Sequence, residues 1–272
     1  MRTWIGLWVV LGLCGACGSA ATGANGGQQV SDSSGGDAAT TSGDGAQASD
    51  AGADISADSA AADATSGSKA TPWGPISGAC GALAGEWTSS KPSFFVNTWS
   101  FASPGPFDPK PLRSGAKARY DGPNAGGSSK CSEVMSMQLL YECEGATTLK
   151  TEVQINYAQQ GAITDWLATV AGHKIGVSVT RAYKGPTIQT YTESDATTLL
   201  TKKLNGVLES TANVVPADKW QKQVVHIWTL RPDWVPVLQT AWEKLDAATK
   251  ADTIVLVTVE AGSTDVTADT CQ

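Results

Sequence analysis

The chain has 272 residues, 26 acidic against 19 basic, a formal charge of −7 and 41% hydrophobic residues. The acidity is concentrated in residues 18–71, which hold seven Asp and one Lys, whereas 72–272 are nearly neutral at −2. Neither value is the basic signature of a nucleic-acid-binding protein.

Three unlike zones follow one another. Residues 1–17 read as a lipoprotein signal. Arg2 supplies the positive start, and 4–13 form an apolar run too short to span a membrane. Cys14-Gly15-Ala16-Cys17 then closes the run. Gly15 and Ala16 are the small residues such a site requires, so Cys17 is the expected lipidation site. Cys14 departs from the usual Leu, and ordinary cleavage near Gly18-Ser19-Ala20 is the alternative. Residues 18–71 are rich in Ala, Gly, Ser, Thr and Asp, with Val30 and Ile55 as their large aliphatics. Such a segment cannot bury enough surface to offset the entropy of ordering. It reads as a disordered tether with a reach of roughly 40 Å. The first two zones imply export to a bacterial cell envelope and membrane contact through a lipid anchor. A secreted soluble protein is the alternative, and a protein or cell-wall partner is left unnamed.

Residues 72–272 form one domain, long enough to bury its own core. Its elements begin with a strand over 94–101. A Pro-, Gly- and Ser-rich loop spans 102–130, with Lys110, Arg113, Lys117 and Arg119 read as a solvated basic stretch. A helix covers 131–142, with Ser132 near its start and Gly145 past its end. Residues 149–157 alternate as a strand, Val153, Ile155 and Tyr157 on one face and Glu152, Gln154 and Asn156 on the other. Strands follow at 165–170 and 173–182, then a helix over 194–208 and a strand over 224–230. Asp233 is the expected cap of a helix carrying Val235, Leu238, Trp242 and Leu245. A strand over 253–260 ends the domain. The fold class is α+β: a central mixed sheet with flanking helices.

Cys80, Cys131, Cys143 and Cys271 are an even count in an exported chain and predict two disulfides. Cys131 and Cys143 bracket one element and would sit roughly 18 Å apart on a helix, whereas a bridge needs about 5.5 Å. Cys80 and Cys271 each therefore pair with one of those two, in either combination.

The order α-β-β-β-α-β over 131–230, with Asp165 opening the second strand and an alternating third strand, resembles the PD-(D/E)XK nuclease superfamily. An α-β unit follows that core. The segment 175–182, Leu200-Thr201-Lys202-Lys203-Leu204 and His226-Ile227-Trp228 also resemble a family of eukaryotic proteins to which no activity is attached. The nuclease resemblance implies carboxylates holding Mg²⁺, a hard cation that prefers oxygen ligands. It also implies an acid and a lysine two apart on the third strand. Ser178 and Thr180 stand there instead, so a binding or structural role without catalysis is expected. The alternative is a metal-dependent nuclease with relocated residues: Glu152 and Asp165 on the metal, and Lys202 or Arg181 as the electrophile. Glu133 and Lys203 are further candidates near the same elements. A third reading, a carbohydrate- or cell-wall-binding module, rests on eight tryptophans in the domain, with Trp220 the best surface candidate. His226, between Val225 and Ile227, reads as a core histidine.

Overall fold

The computed structural model describes residues 67–102, 107–123 and 129–271. The signal, Cys17 and most of the tether lie outside the described residues. Gly67–Lys69, which composition assigns to the tether, form strand β1. The remaining elements are β2 (Ile76–Gly78), β3 (Ser93–Ser100), α1 (Ser114–Asp121), α2 (Lys130–Glu144), β4 (Thr147–Thr151), β5 (Trp166–Val170), β6 (His173–Arg181), α3 (Glu193–Asn213), β7 (Lys222–Thr229), α4 (Val235–Lys244), α5 (Ala247–Lys250), β8 (Ile254–Ala261) and α6 (Asp265–Ala268).

The strands form one eight-stranded sheet in the order β1-β2-β3-β8-β7-β6-β5-β4. Its centre, β3, β8, β7 and β6, is parallel, and both wings are antiparallel. This is the mixed α+β architecture expected, and α2-β4-β5-β6-α3-β7 followed by α4-β8 is the expected order. Every residue of β7 is buried. A central parallel strand covered on both faces accounts for that. Even Lys222 is enclosed there, its ammonium donating to Ser89 O at 2.7 Å and to Lys91 O at 3.2 Å.

Helices cover both faces. On one, Trp99, Trp166, Trp228, Ile175 and Leu256 pack with Val134, Met135 and Leu139 of α2. On the other, Val225, Ile227, Val255 and Val257 pack with Leu200, Leu204 and Val207 of α3 and with Leu238 and Trp242 of α4. α2 is buried from Cys131 through Leu140, polar residues included. Ser136 explains part of this, since His226, fully enclosed, is hydrogen-bonded to Ser136 Oγ and Thr258 Oγ1, each at 2.8 Å.

Several expectations are corrected. The loop over 102–130 contains α1. The strand expected over 149–157 stops at Thr151, where a capping box between Thr151 and Gln154 closes a 3-10 turn over Glu152–Gln154. Asp233 does not cap α4; its carboxylate pairs with Arg231 at 2.9 Å inside another 3-10 turn, Pro232–Trp234. Trp220 is buried: its indole lies on Gly176, where a Cβ would come within 2.7 Å of the ring, and its N–H donates to Thr211 Oγ1. Seven of the eight domain tryptophans are buried and Trp73 is half-buried. Among the described residues, that leaves no coplanar exposed pair for a sugar platform. Both disulfides are present, Cys80–Cys143 and Cys131–Cys271. They fit an extracellular protein. Among the described residues no helix is long and apolar enough to cross a membrane.

Burial pushes the His226 imidazole down to about 3, against about 6.5 in the unfolded chain. The folded state therefore holds it neutral while the unfolded state protonates. The associated stability is complete above about pH 6.5 and is lost at about 1.4 kcal/mol per unit as pH falls toward 3. Urea unfolding of wild type and His226→Gln at pH 7 and pH 5 should show the steeper loss in wild type. Parallel pH profiles would contradict this account of the histidine.

Candidate metal centre

The site begins where β5 starts too late to finish its ladder. Trp166 pairs with Val177 in the antiparallel register, and continuing that register would set Thr164 opposite Val179. The chain turns away instead. Thr164 N–H donates to the Tyr157 hydroxyl at 2.7 Å, and its Oγ1 shares a hydrogen bond with Ser210 Oγ at 3.1 Å. The Val179 peptide is then served by side chains. Its N–H donates to Asp165 Oδ2 at 2.6 Å, and its carbonyl accepts from Lys203 Nζ at 3.0 Å. Ser178 Oγ donates to the same Asp165 oxygen at 3.1 Å. A buried peptide group left unpaired would cost about 1–3 kcal/mol, which explains why both side chains are held there.

Two more carboxylates converge on Asp165. Glu133 comes from the first turn of α2, and Glu152 from the 3-10 turn that interrupts the expected strand. One ligand oxygen from each of the three lies within 4.8 Å of the others. Glu133 is enclosed and doubly bonded: Arg119 Nε donates to its Oε2 at 2.6 Å and Ser129 Oγ to its Oε1 at 2.7 Å. Arg119 Nη2 also lies 3.8 Å from Glu152 Oε1. Burial pushes the Asp165 carboxyl up to about 6, opposed by the Lys203 charge and reinforced by Glu133.

The α2 end of the site is clamped from the far end of the chain. Cys131, two residues before Glu133, is bridged to Cys271, and its N–H donates to Asp269 Oδ1 at 2.7 Å. Beside the carboxylates a cleft of about 440 Å³ opens at Ser178, with Ile163, Lys202, Lys203 and Asn205 among its lining.

The sequence-derived site residues divide accordingly. Asp165 and Glu152 are brought together. Lys202 is exposed on the cleft wall and Lys203 takes the position beside Asp165. Arg181 donates to Thr267 O at 2.7 Å, in the C-terminal segment. Arg119, read as a solvated loop cation, is the buried counter-ion. Helical periodicity could have separated the two lysines. At about 100° per residue, Lys203 lies beside the Leu200–Leu204–Val207 stripe and Lys202 opposite it. Glu133 sits too near a helix start for its spacing alone to distinguish a ligand from an ordinary first-turn acid.

An all-oxygen, carboxylate-rich set suits a hard divalent cation such as Mg²⁺, Mn²⁺ or Ca²⁺. The fold and this set define a mixed α/β domain with a candidate carboxylate metal centre. In sequence, the chain is similar to the AAC-rich mRNA clone AAC4 protein of Dictyostelium discoideum, 39% identical over 152 residues. That match covers 54% of this chain and 22% of the relative, so the chain spans about a fifth of the relative's length. Among solved structures, Pyrococcus furiosus SfsA in complex with Ca²⁺ matches 48% of this chain and 56% of its own at a TM-score of 0.27 and 12% identity. No protein-family model matches.

Arg119→Met removes one partner of a buried ion pair and leaves three carboxylates facing one another. Its unfolding free energy should fall by about 3–5 kcal/mol in urea. Added Ca²⁺ should recover part of that loss in the variant. A midpoint insensitive to Ca²⁺ would show that the carboxylates do not act as a cation site.

Proposed function

We propose that this is an exported, lipid-anchored envelope protein whose folded domain is a divalent-cation-dependent, nuclease-like phosphodiester hydrolase with relocated residues. The carrying observation is the convergence of Glu133, Glu152 and Asp165 within 4.8 Å from three different elements. The order α2-β4-β5-β6-α3-β7 supports it, since it is the order the nuclease resemblance implies. Glu152 and Asp165 would hold the cation, with Glu133 completing the set. When bound, the cation supplies Lewis-acid polarisation of a phosphoryl oxygen. Lys203 replaces the positive charge missing at Thr180, reaching the β6 edge from α3 instead of from the strand. Its ammonium, fixed on Val179 O, is placed to stabilise an anion developing beside Asp165. Ser178 holds the Asp165 carboxylate in orientation, where the resemblance would place an acid.

A second reading is favoured by one contact. The 2.6 Å pair of Arg119 with Glu133 supplies a built-in positive charge, so the trio could be a structural ion network in a binding or scaffold domain without catalysis.

Mn²⁺ titration by calorimetry separates them without a guess about substrate. Wild type should bind saturably and Asp165→Asn at least tenfold more weakly. In Mn²⁺, hydrolysis of a fluorogenic phosphodiester should fall at least 100-fold in Lys203→Met while Mn²⁺ affinity changes little. Absence of Mn²⁺ binding in wild type would sink the metal reading. Binding without hydrolysis would leave the scaffold reading.

A further inference from the structure

The cleft beside the carboxylates has two unlike walls. Ile163, 49% exposed, forms an apolar side. Lys202, Lys203, Asn205 and Glu209, all on α3, form a polar one. Ser178 closes the inner end, and its hydroxyl is already bonded to Asp165. A ligand reaching the bottom of the cleft therefore arrives beside the carboxylate trio.

Gly206 is the second clue. It lies inside the 21-residue helix α3, where glycine costs about 0.5–1 kcal/mol relative to alanine. Neither packing nor backbone conformation demands it. A Cβ there would meet only Ala162 Cβ, at 3.8 Å, an ordinary contact. What the missing side chain does is leave space, because Gly206 is part of the cleft lining.

We infer that this cleft binds a single nucleotide unit of a single-stranded nucleic acid, its base against Ile163 and its phosphate between Lys202 and Lys203. The inference rests on the reading of the carboxylate trio as the reacting centre. An apolar side chain and two ammonium groups in one lining, against one carboxylate, match a ligand with one flat apolar face and one anionic group. The Asn205 amide offers a donor and an acceptor to a base edge. A volume of about 440 Å³ is that of a small-ligand site. Duplex is disfavoured by charge. A domain at −2 brings no net positive charge with which to neutralise two phosphate backbones. A single strand fed one unit at a time needs only the local pair of lysines, together with base contact.

Three probes titrated into the full chain in EDTA test this: thymidine 5′-monophosphate, thymidine and inorganic phosphate, read by calorimetry. The monophosphate should bind at least tenfold more tightly than either fragment. Gly206→Leu, which fills the cleft, and Lys202→Glu, on an exposed side chain, should each weaken it at least tenfold. Equal affinity for phosphate and monophosphate would reduce the site to an anion patch and overturn the inference. So would monophosphate affinity unchanged in both cleft variants, or no saturable binding in wild type. Mn²⁺ binding without monophosphate binding would sink this inference alone. Monophosphate binding without Mn²⁺ binding would sink the metal reading and leave the cleft assignment standing.

Discussion

The structure turns on the backbone N–H and C=O of one residue. Val179 lies within β6, on the edge facing β5, and β5, which begins at Trp166, starts two positions too late to cover it. A sheet cannot leave such a group bare in a dry interior. The solution is ionic: a carboxylate takes the N–H and an ammonium takes the C=O. That requirement holds Asp165 against β6, just before β5 begins. From there Asp165 can meet Glu133, which descends from α2 on one side, and Ser178 and Lys203, which belong to the α3 side. The candidate centre is thus a consequence of where β5 begins.

The other half of the site depends on how α2 is held. A helix buried over ten consecutive residues must have its polar groups matched one by one. Ser136 meets His226, the Gln138 carboxamide oxygen accepts from Arg113 N–H at 2.9 Å, and the Ser132 carbonyl accepts from the Trp228 indole at 3.1 Å. The first turn is fixed by the Cys131–Cys271 bridge and by Asp269, whose left-handed backbone, φ 60°, aims its carboxylate at the helix start. A chain end more than a hundred residues away thereby sets where Glu133 stands. The other bridge, Cys80–Cys143, ties the opposite end of the same helix.

Much of this was legible beforehand, and the gaps have physical reasons. Alternation in β6 and the apolar stripe of α3 expose their periodicity because each has one face on a core. α1 escaped notice because its eight residues carry no stripe and sit between Pro- and Gly-rich segments; its place is fixed by Arg119 reaching Glu133, a contact 14 residues distant that periodicity cannot report. The strand expected through Glu152 read correctly as alternating, yet the Thr151–Gln154 capping box overrode that pattern. The override matters, since a continued strand would have put Glu152 on a sheet face instead of turning it toward Asp165. Trp220 looked exposed from its loop neighbours, and only the matching gap at Gly176 hides it.

Charge balance connects structure to chemistry at the centre. Glu133, Glu152 and Asp165 bring three negative charges when ionised, and Arg119 and Lys203 bring two positive ones. Charges in so covered a site interact more strongly than in water, and two agents would lower the negative charge. A proton can settle on Asp165, whose carboxyl is already pushed up to about 6. Alternatively, in the proposed reading, a divalent cation would bind there and strengthen the attraction for an anionic group in the adjacent cleft. The proton and the metal compete for the same oxygen. Arg119, 2.6 Å from Glu133 and 3.8 Å from Glu152, offsets part of the repulsion among the carboxylates without a metal, and a bound cation would add to the pull that Lys202 and Lys203 exert on an anion in the cleft.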